Sequence, residues 1–373
     1  VHQNYAPAPI PAAAPPPGRT VFGYDVPYDP TSWASLQQHA AHIDYVGAQW
    51  VSVDACGNLG SRDDQTLKRF AQARGINVFP SLLTLSGPLN KRLLTDEAIA
   101  SRLIAQIVAY VRDGGYDGFD LDLEGVLPEE RDAYSAFVAR LAAALRAHGK
   151  PLALAIPPKT RDVTTGWAGA YDYAALGQHA DLITIMTYEY HGPWSGPGPI
   201  APYDWVGNVM AFAISQIPPH KVLLGLAFYG YDWNVTAKTA RSLRFPQAAE
   251  LAERYQAPLT LDPVTQSVTF QYRARASDSG PIAANLPPLN HEITERKPPA
   301  CPEATPSPTP RPTATPTPAP DAIHDHVVWI EDSRSAVARL RWAEQYRTGG
   351  IATWRLGQED PAVWPILQQW RER

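Results

Sequence analysis

The chain has 373 residues, a formal charge of −5 and no long basic run, which leaves nucleic acid and anionic membrane surfaces without an electrostatic handle. That length accommodates one large domain or two ordinary ones, an eight-fold α/β barrel of about 250 residues among them. The 11 Trp and 17 Tyr supply flat rings that fill cores and also stack on sugar faces, while the two cysteines, Cys56 and Cys301, lack zinc-type spacing with any histidine.

Residues 1–19 are rich in Pro and Ala and read as an extended tether. They hold neither a signal peptide nor a membrane span, so the start at Val1 reads as processed or trimmed, with any export signal or anchor upstream. From Thr20 onward, strands and helices alternate. Val21–Val26, Tyr45–Val53, Ile76–Leu83, Tyr116–Glu124, Leu152–Ile156, Leu182–Tyr188, Val222–Tyr229 and Gly350–Leu356 have the composition of strands. Between them lie helix signals: starts at Asp29, Asp63-Asp64, Asp96 and Pro128, and stops at Gly75, Gly114-Gly115 and Gly149. Strand interiors that are apolar on both faces favour a closed parallel (β/α)8 barrel over an open doubly wound sheet.

The rhythm divides the chain into a first barrel part over 20–232, an α+β insertion over 233–332 after the seventh strand, and a last barrel part over 333–373. Within the insertion, 298–320 alternates Pro with Thr, Ser and Ala and reads as a disordered surface loop without a catalytic part. Cys301 falls inside that stretch, so no disulfide is expected. His39 with His42 and His324 with His326 lack a third ligand in reach and read as solvated.

The segment Asp117-Gly118-Phe119-Asp120-Leu121-Asp122-Leu123-Glu124 alternates acidic and apolar residues. On a strand, Asp120, Asp122 and Glu124 share one face and Phe119, Leu121 and Leu123 the other. Asp117 falls outside the acidic face and reads as structural. Three like charges at this spacing raise at least one carboxyl pKa toward neutrality. Glu124, nearest the strand's C-terminal end, stands at the mouth of a barrel, where a protonated carboxyl suits leaving-group protonation. A divalent cation is an alternative, since Asp120, Asp122, Glu124 and Gly125 match the start of an EF-hand loop, but position twelve is Arg131. A purely structural carboxyl cluster is the other alternative.

The same segment resembles the Asp-Gly-x-Asp-x-Asp-x-Glu signature of glycoside hydrolase family 18, the chitinase-like hydrolases. Met186-Thr187-Tyr188-Glu189 resembles the family's Met-x-Tyr-Asp, Phe228-Tyr229-Gly230 its strand-seven motif, and Trp354 its strand-eight tryptophan. Met-Thr-Tyr-Glu-Tyr and Val-Trp-Ile-Glu-Asp look most like the bacterial branch of spore-germination and cortex-lytic N-acetylglucosaminidases. The resemblance implies a retaining, substrate-assisted cleavage of β-1,4-linked N-acetylglucosamine glycans, peptidoglycan before chitin. By match, Glu124 is the general acid/base, Asp122 steadies the acetamido group, Asp120 partners Asp122, and Tyr188 donates to the acetamido oxygen. Trp354 would form the sugar floor, and Glu189, one methylene longer than the family's Asp, would meet substrate hydroxyls. Tyr229, Tyr24, Gln49 and Trp194 are further substrate-binding candidates; Trp50 and Asp54 are weaker ones. No cofactor or metal is expected. The implied partner is an N-acetylglucosamine polysaccharide, met by a secreted or surface-tethered monomer without membrane contact beyond a possible upstream anchor. The rival is a catalytically silent, lectin-like barrel, although such members usually lose the acid that Glu124 retains.

Overall fold

The computed structural model describes residues 19–278, 289–302 and 322–373. Residues 1–18 of the expected tether and 303–320 of the expected Pro-rich loop lie outside the described residues. Strands β1 (Thr20–Asp25), β2 (Tyr45–Val53), β3 (Leu59–Asp64), β4 (Asn77–Thr84) and β5 (Phe119–Leu123) are followed by β6 (Leu152–Ile156), β7 (Leu182–Ile185) and β8 (Val222–Ala227). Then come β9 (Tyr229–Asn234), β10 (Thr239–Arg244), β11 (Thr260–Leu261), β12 (Val268–Arg275), β13 (Ile293–Arg296), β14 (Ile323–Ile330) and β15 (Gly350–Trp354).

Eight of these close a parallel barrel in the order β1-β2-β4-β5-β6-β7-β8-β15, with β15 pairing back onto β1. The (β/α)8 architecture follows from strands buried on both sides. Phe22, Tyr24, Phe79, Ala153, Leu223 and Ala352 fill the barrel's interior. Val21, Leu121, Leu154, Ile183, Leu224 and Ile351 belong to a separate, larger cluster shared with the surrounding helices. Large rings inside a barrel need small neighbours: a Cβ at Gly47 would lie 2.5 Å from the Phe22 ring, and one at Gly118 would lie 2.3 Å from Phe79. Asp117 has the structural part expected of it, accepting the Val78 amide at 2.8 Å and the Gln72 side chain at 3.0 Å.

The elements not anticipated include β3, β13 and the helix Gly87–Thr95. The sequence of β3, Leu-Gly-Ser-Arg-Asp-Asp, carries little strand propensity, and its pairing with β2 and β13 supplies what the residues lack. Only Asp64 of the Asp63-Asp64 pair caps the helix Gln65–Gln72. Asp63 belongs to β3 and accepts hydrogen bonds from the hydroxyls of Tyr110 (2.8 Å) and Tyr116 (2.5 Å).

Beyond β8 the chain builds a second, antiparallel sheet in the order β10-β9-β14-β12-β11, covered by the helix Phe245–Arg254. Leu251, Phe270, Tyr272 and Val328 lie in the small core between them. A buried ion pair fastens this unit to the barrel. Arg339, on the helix Ser333–Gln345, lies 3.2 Å from Glu331 at the end of β14 and donates to Ser267 and the Ala201 carbonyl.

Two expectations are corrected. Cys56 and Cys301 form a disulfide, with Cα atoms 5.8 Å apart. β13 pairs antiparallel with β3 and brings Cys301 back to the barrel, a long-range placement that a Pro-rich composition does not disclose. The two histidine pairs are not simply solvated: His324 and His326 are buried, and His39 and His42 half-buried. His326 is 3% exposed, with Nδ1 2.8 Å from buried Asp232 and its ring stacked on Tyr272, and His324 lies 2.8 Å from Asn234. His39 stacks on Trp364, and burial holds its pKa down at about 4.

Candidate active site

The C-terminal ends of the barrel strands surround a cavity of about 750 Å³. Tyr24, Asp122, Glu124, Met186, Tyr188, Glu189, Trp194 and Trp354 line it, together with Leu83, Leu85, Ala155, Pro157, Pro158, Trp167 and Ala168. The acidic alternation of β5 sets its base. Asp120 lies fully buried under Asp122, accepting from the Ser81 hydroxyl at 2.6 Å and the Tyr24 hydroxyl at 3.3 Å. Asp122 is 4% exposed, and its Oδ1 has no hydrogen-bond partner. Glu124 comes one residue past the strand and remains partly exposed.

Burial governs the acidity of this column. It raises Asp120 to about 6 against the opposing hydrogen bonds of Ser81 and Tyr24. Burial, then the charges of Glu124 and Asp120, holds Asp122 well above the usual carboxylate range. Glu124 is raised to about 7 by burial and then by Glu189. A carboxyl with that pKa carries a proton for transfer at neutral pH.

The backbone under Glu124 is clamped from two sides. Its amide donates to the Thr84 carbonyl at 2.8 Å, and the Asn90 side-chain amide donates to its carbonyl at 2.6 Å. The Tyr171 hydroxyl donates to the preceding Leu123 carbonyl at 2.7 Å. Asn90 and Tyr171 escaped the sequence reading, because a donor to one backbone carbonyl leaves no periodic signal.

β7 ends at Ile185, three residues before the expected boundary. The amides of Thr187 and Tyr188 bond two residues back, to Ile185 and Met186, and Glu189 adopts φ 62°. This curl brings both Tyr188 and Glu189 to the cavity. Glu189 Oε1 accepts from the hydroxyls of Tyr229 at 3.1 Å and Tyr231 at 3.0 Å. Tyr229 thus supports Glu189 from behind and does not itself line the cavity. Tyr231, which sequence did not single out, comes from β9.

Trp354 ends β15 and meets the Tyr24 ring edge-on at 5.6 Å; the Trp354–Arg355 peptide is cis. Gln49 is absent from the cavity wall, and its Nε2 is buried without a partner. Trp50 donates to Tyr110 and Asp54 closes a turn at Cys56 and Asn58, so both lie away from the cavity. Trp194 lines the cavity and is 67% exposed. Among the described residues, the one metal-like group is Asp54, Cys56 and Cys301, and both of its sulfurs are bonded to each other.

A parallel barrel whose strand ends present a near-neutral carboxyl over two buried ones, facing an aromatic wall, has the groups that a glycoside hydrolase needs. The sequence profile of glycosyl hydrolases family 18 matches residues 22–359, and the chain belongs to that family. It is 24% identical over 350 residues to the uncharacterized glycosylase YvbX of Bacillus subtilis, covering 91% of this chain and 88% of that one. It is 25% identical over 347 residues to the cortical fragment-lytic enzyme of the same organism, covering 89% and 70%. A chitinase of Chromobacterium violaceum shares the fold, with a TM-score of 0.75 at 24% identity over 95% of this chain and 99% of that one.

Proposed function

We propose that this hydrolase cleaves β-1,4-linked N-acetylglucosamine glycans, peptidoglycan before chitin, with retention and with the substrate's own acetamido group as nucleophile. The observation that carries the reading is the buried Oδ1 of Asp122, an acceptor without a donor, in the cavity wall beside Glu124. A buried acceptor left empty is costly, and a substrate N–H that fills it is bound and oriented together. An acetamido N–H suits that position.

In this mechanism Glu124 protonates the glycosidic oxygen as the C1–O bond breaks, while the acetamido carbonyl oxygen attacks C1 to form an oxazolinium ion. Asp122 accepts the acetamido N–H and steadies the ion, the carboxylate that Glu124 becomes balances its positive charge, and Asp120 supports Asp122 from below. Tyr188 donates its hydroxyl proton in a hydrogen bond to the acetamido oxygen. The Glu124 carboxylate then takes a proton from water, which opens the ring at C1 and restores the acid. Trp354 carries the sugar under attack, and Glu189 meets its hydroxyls. Preference for peptidoglycan draws on the relative named a cortical fragment-lytic enzyme; a wall glycan as substrate would put the site of action outside the cell.

Glu124→Gln should lower hydrolysis of N-acetylchitooligosaccharides and of purified glycan strands by about 10²- to 10⁴-fold while ligand binding survives. Turnover at the parent rate in that variant would remove Glu124 from its role. Mass spectrometry of the products from peptidoglycan and from chitin distinguishes the two substrates.

A further inference from the structure

The helix Gly87–Thr95 brings one uncharged side chain to the backbone of Glu124, and where the sheet stops explains why it is needed. Toward β4 the parallel register of β5 ends at Leu123 opposite Thr84, and toward β6 it ends at Leu121 opposite Leu154. Glu124 therefore stands beyond the strand pairs on both sides, followed by Gly125 at φ 66°. A glycine accepts backbone conformations that other residues resist, so the chain alone does not hold the preceding carbonyl in one direction.

Asn90 supplies the missing restraint. It is fully buried, and both ends of its amide are engaged. Nδ2 donates to the Glu124 carbonyl at 2.6 Å and Oδ1 accepts from the Thr84 hydroxyl, while the Thr84 carbonyl accepts the Glu124 amide at 2.8 Å. The three residues close a ring of hydrogen bonds that carries the β4–β5 register one step past the last strand pair. β4 does not do this itself, because it ends at Thr84 and Ser86 already caps the helix. The helix is held in turn. Leu93 is fully buried, Lys91 lies 3.3 Å from buried Glu130, and a Cβ at Gly87 would lie 3.2 Å from the Gly125 carbonyl oxygen.

We infer that Asn90 is a positioning residue for the acid, holding the Glu124 backbone so that the carboxyl keeps its reach to the glycosidic oxygen. The inference rests on the proposed function for the destination of the proton; the restraint on Glu124 does not depend on it. Misplacing a reacting group by about 1 Å can cost about 10²-fold in rate. Asn90 carries no charge, so its loss acts on Glu124 through position and burial alone. The ionisable groups that act on Glu124 or feel its charge are Asp122 on β5, Tyr188 and Glu189 after β7, and Tyr171 ahead of the helix Tyr173–His179, and the substitution alters none of them. A Glu124 released toward the open cavity loses part of the burial that raises its pKa to about 7, and that pKa falls.

The test uses Asn90→Leu, which keeps the side chain's size and removes its donor. On N-acetylchitotetraose it should lower kcat about 30-fold with KM little changed, and move the alkaline limb of the kcat/KM profile to lower pH. A second readout needs no turnover. In protein labelled with carbon-13 at the glutamate carboxyls, the Glu124 signal is the one lost in Glu124→Gln, and it should titrate at lower pH in Asn90→Leu than in the parent. Thermal melts check folding. Should Asn90→Leu fail to fold, Thr84→Val takes its place: it removes only the hydroxyl that orients the Asn90 amide and should show the same signature with a smaller loss. An unaltered kcat or an unaltered Glu124 titration in a folded variant would overturn the role of Asn90. If the unsubstituted enzyme turns over no N-acetylglucosamine glycan, the hydrolytic reading fails, and the carboxyl titration still decides whether Asn90 positions Glu124.

Discussion

Glu189 is wired into the site by its own backbone and by two tyrosines. Its left-handed backbone and two tyrosine partners hold the longer side chain where its charge acts on Glu124. In the proposed mechanism protonated Glu124 is the form that starts cleavage, so the rate should fall as pH rises through its pKa, raised to about 7 by burial and by Glu189. Removing the Glu189 charge lowers that pKa. Glu189→Gln is therefore expected to move the alkaline limb of the kcat/KM profile to lower pH; a limb that stays in place would show that the two carboxyls are not coupled. At this scale the sequence disclosed what period two and motif spacing encode, namely the Asp120–Asp122–Glu124 column and the Tyr188-Glu189 pair. It did not disclose Tyr231 or Asn90, which arrive from other elements to serve a single oxygen atom.

Among elements, those with regular burial were the readable ones. The β6 sequence Leu-Ala-Leu-Ala-Ile is buried at every position, and the helix Glu97–Asp113 begins at the Asp96 cap that its sequence announces. β3 and β13 are polar strands stabilised by their neighbours, so propensity passed over them. The insertion's attachment to the barrel was equally silent, because Glu331 and Arg339 become a pair only once β14 and the helix Ser333–Gln345 are packed. Both are nearly fully buried, and burial raises the Glu331 pKa despite the opposing charge of Arg339. Arg339→Met leaves that carboxyl without its cation and should cost roughly 3–5 kcal/mol in urea unfolding, with part recovered by adding Glu331→Gln. A loss below 1 kcal/mol would mean that the ion pair is not what secures the insertion.

At the scale of the whole molecule, eight strand signals in alternation with helices were enough to define a closed barrel, because that architecture repeats one local pattern. Among the described residues, no cationic side chain lines the cavity, and its three acidic groups, Asp122, Glu124 and Glu189, are all carboxyls. What the pattern omits is the crossing from the insertion back to β3, which ends in the disulfide between residues 245 apart. That bond makes the enzyme a covalent ring with two tails, and the ring runs from Cys56 to Cys301. A protease site introduced within 279–288 would open the ring and still leave one molecule, seen as a single band on a gel without reductant and two bands with it. The same site within 303–321 cuts a tail, and two bands should appear under both conditions. β14, β15 and the last helices would then be held to the ring by packing alone, which makes the final barrel strand a candidate for reversible removal and re-addition as a separate peptide.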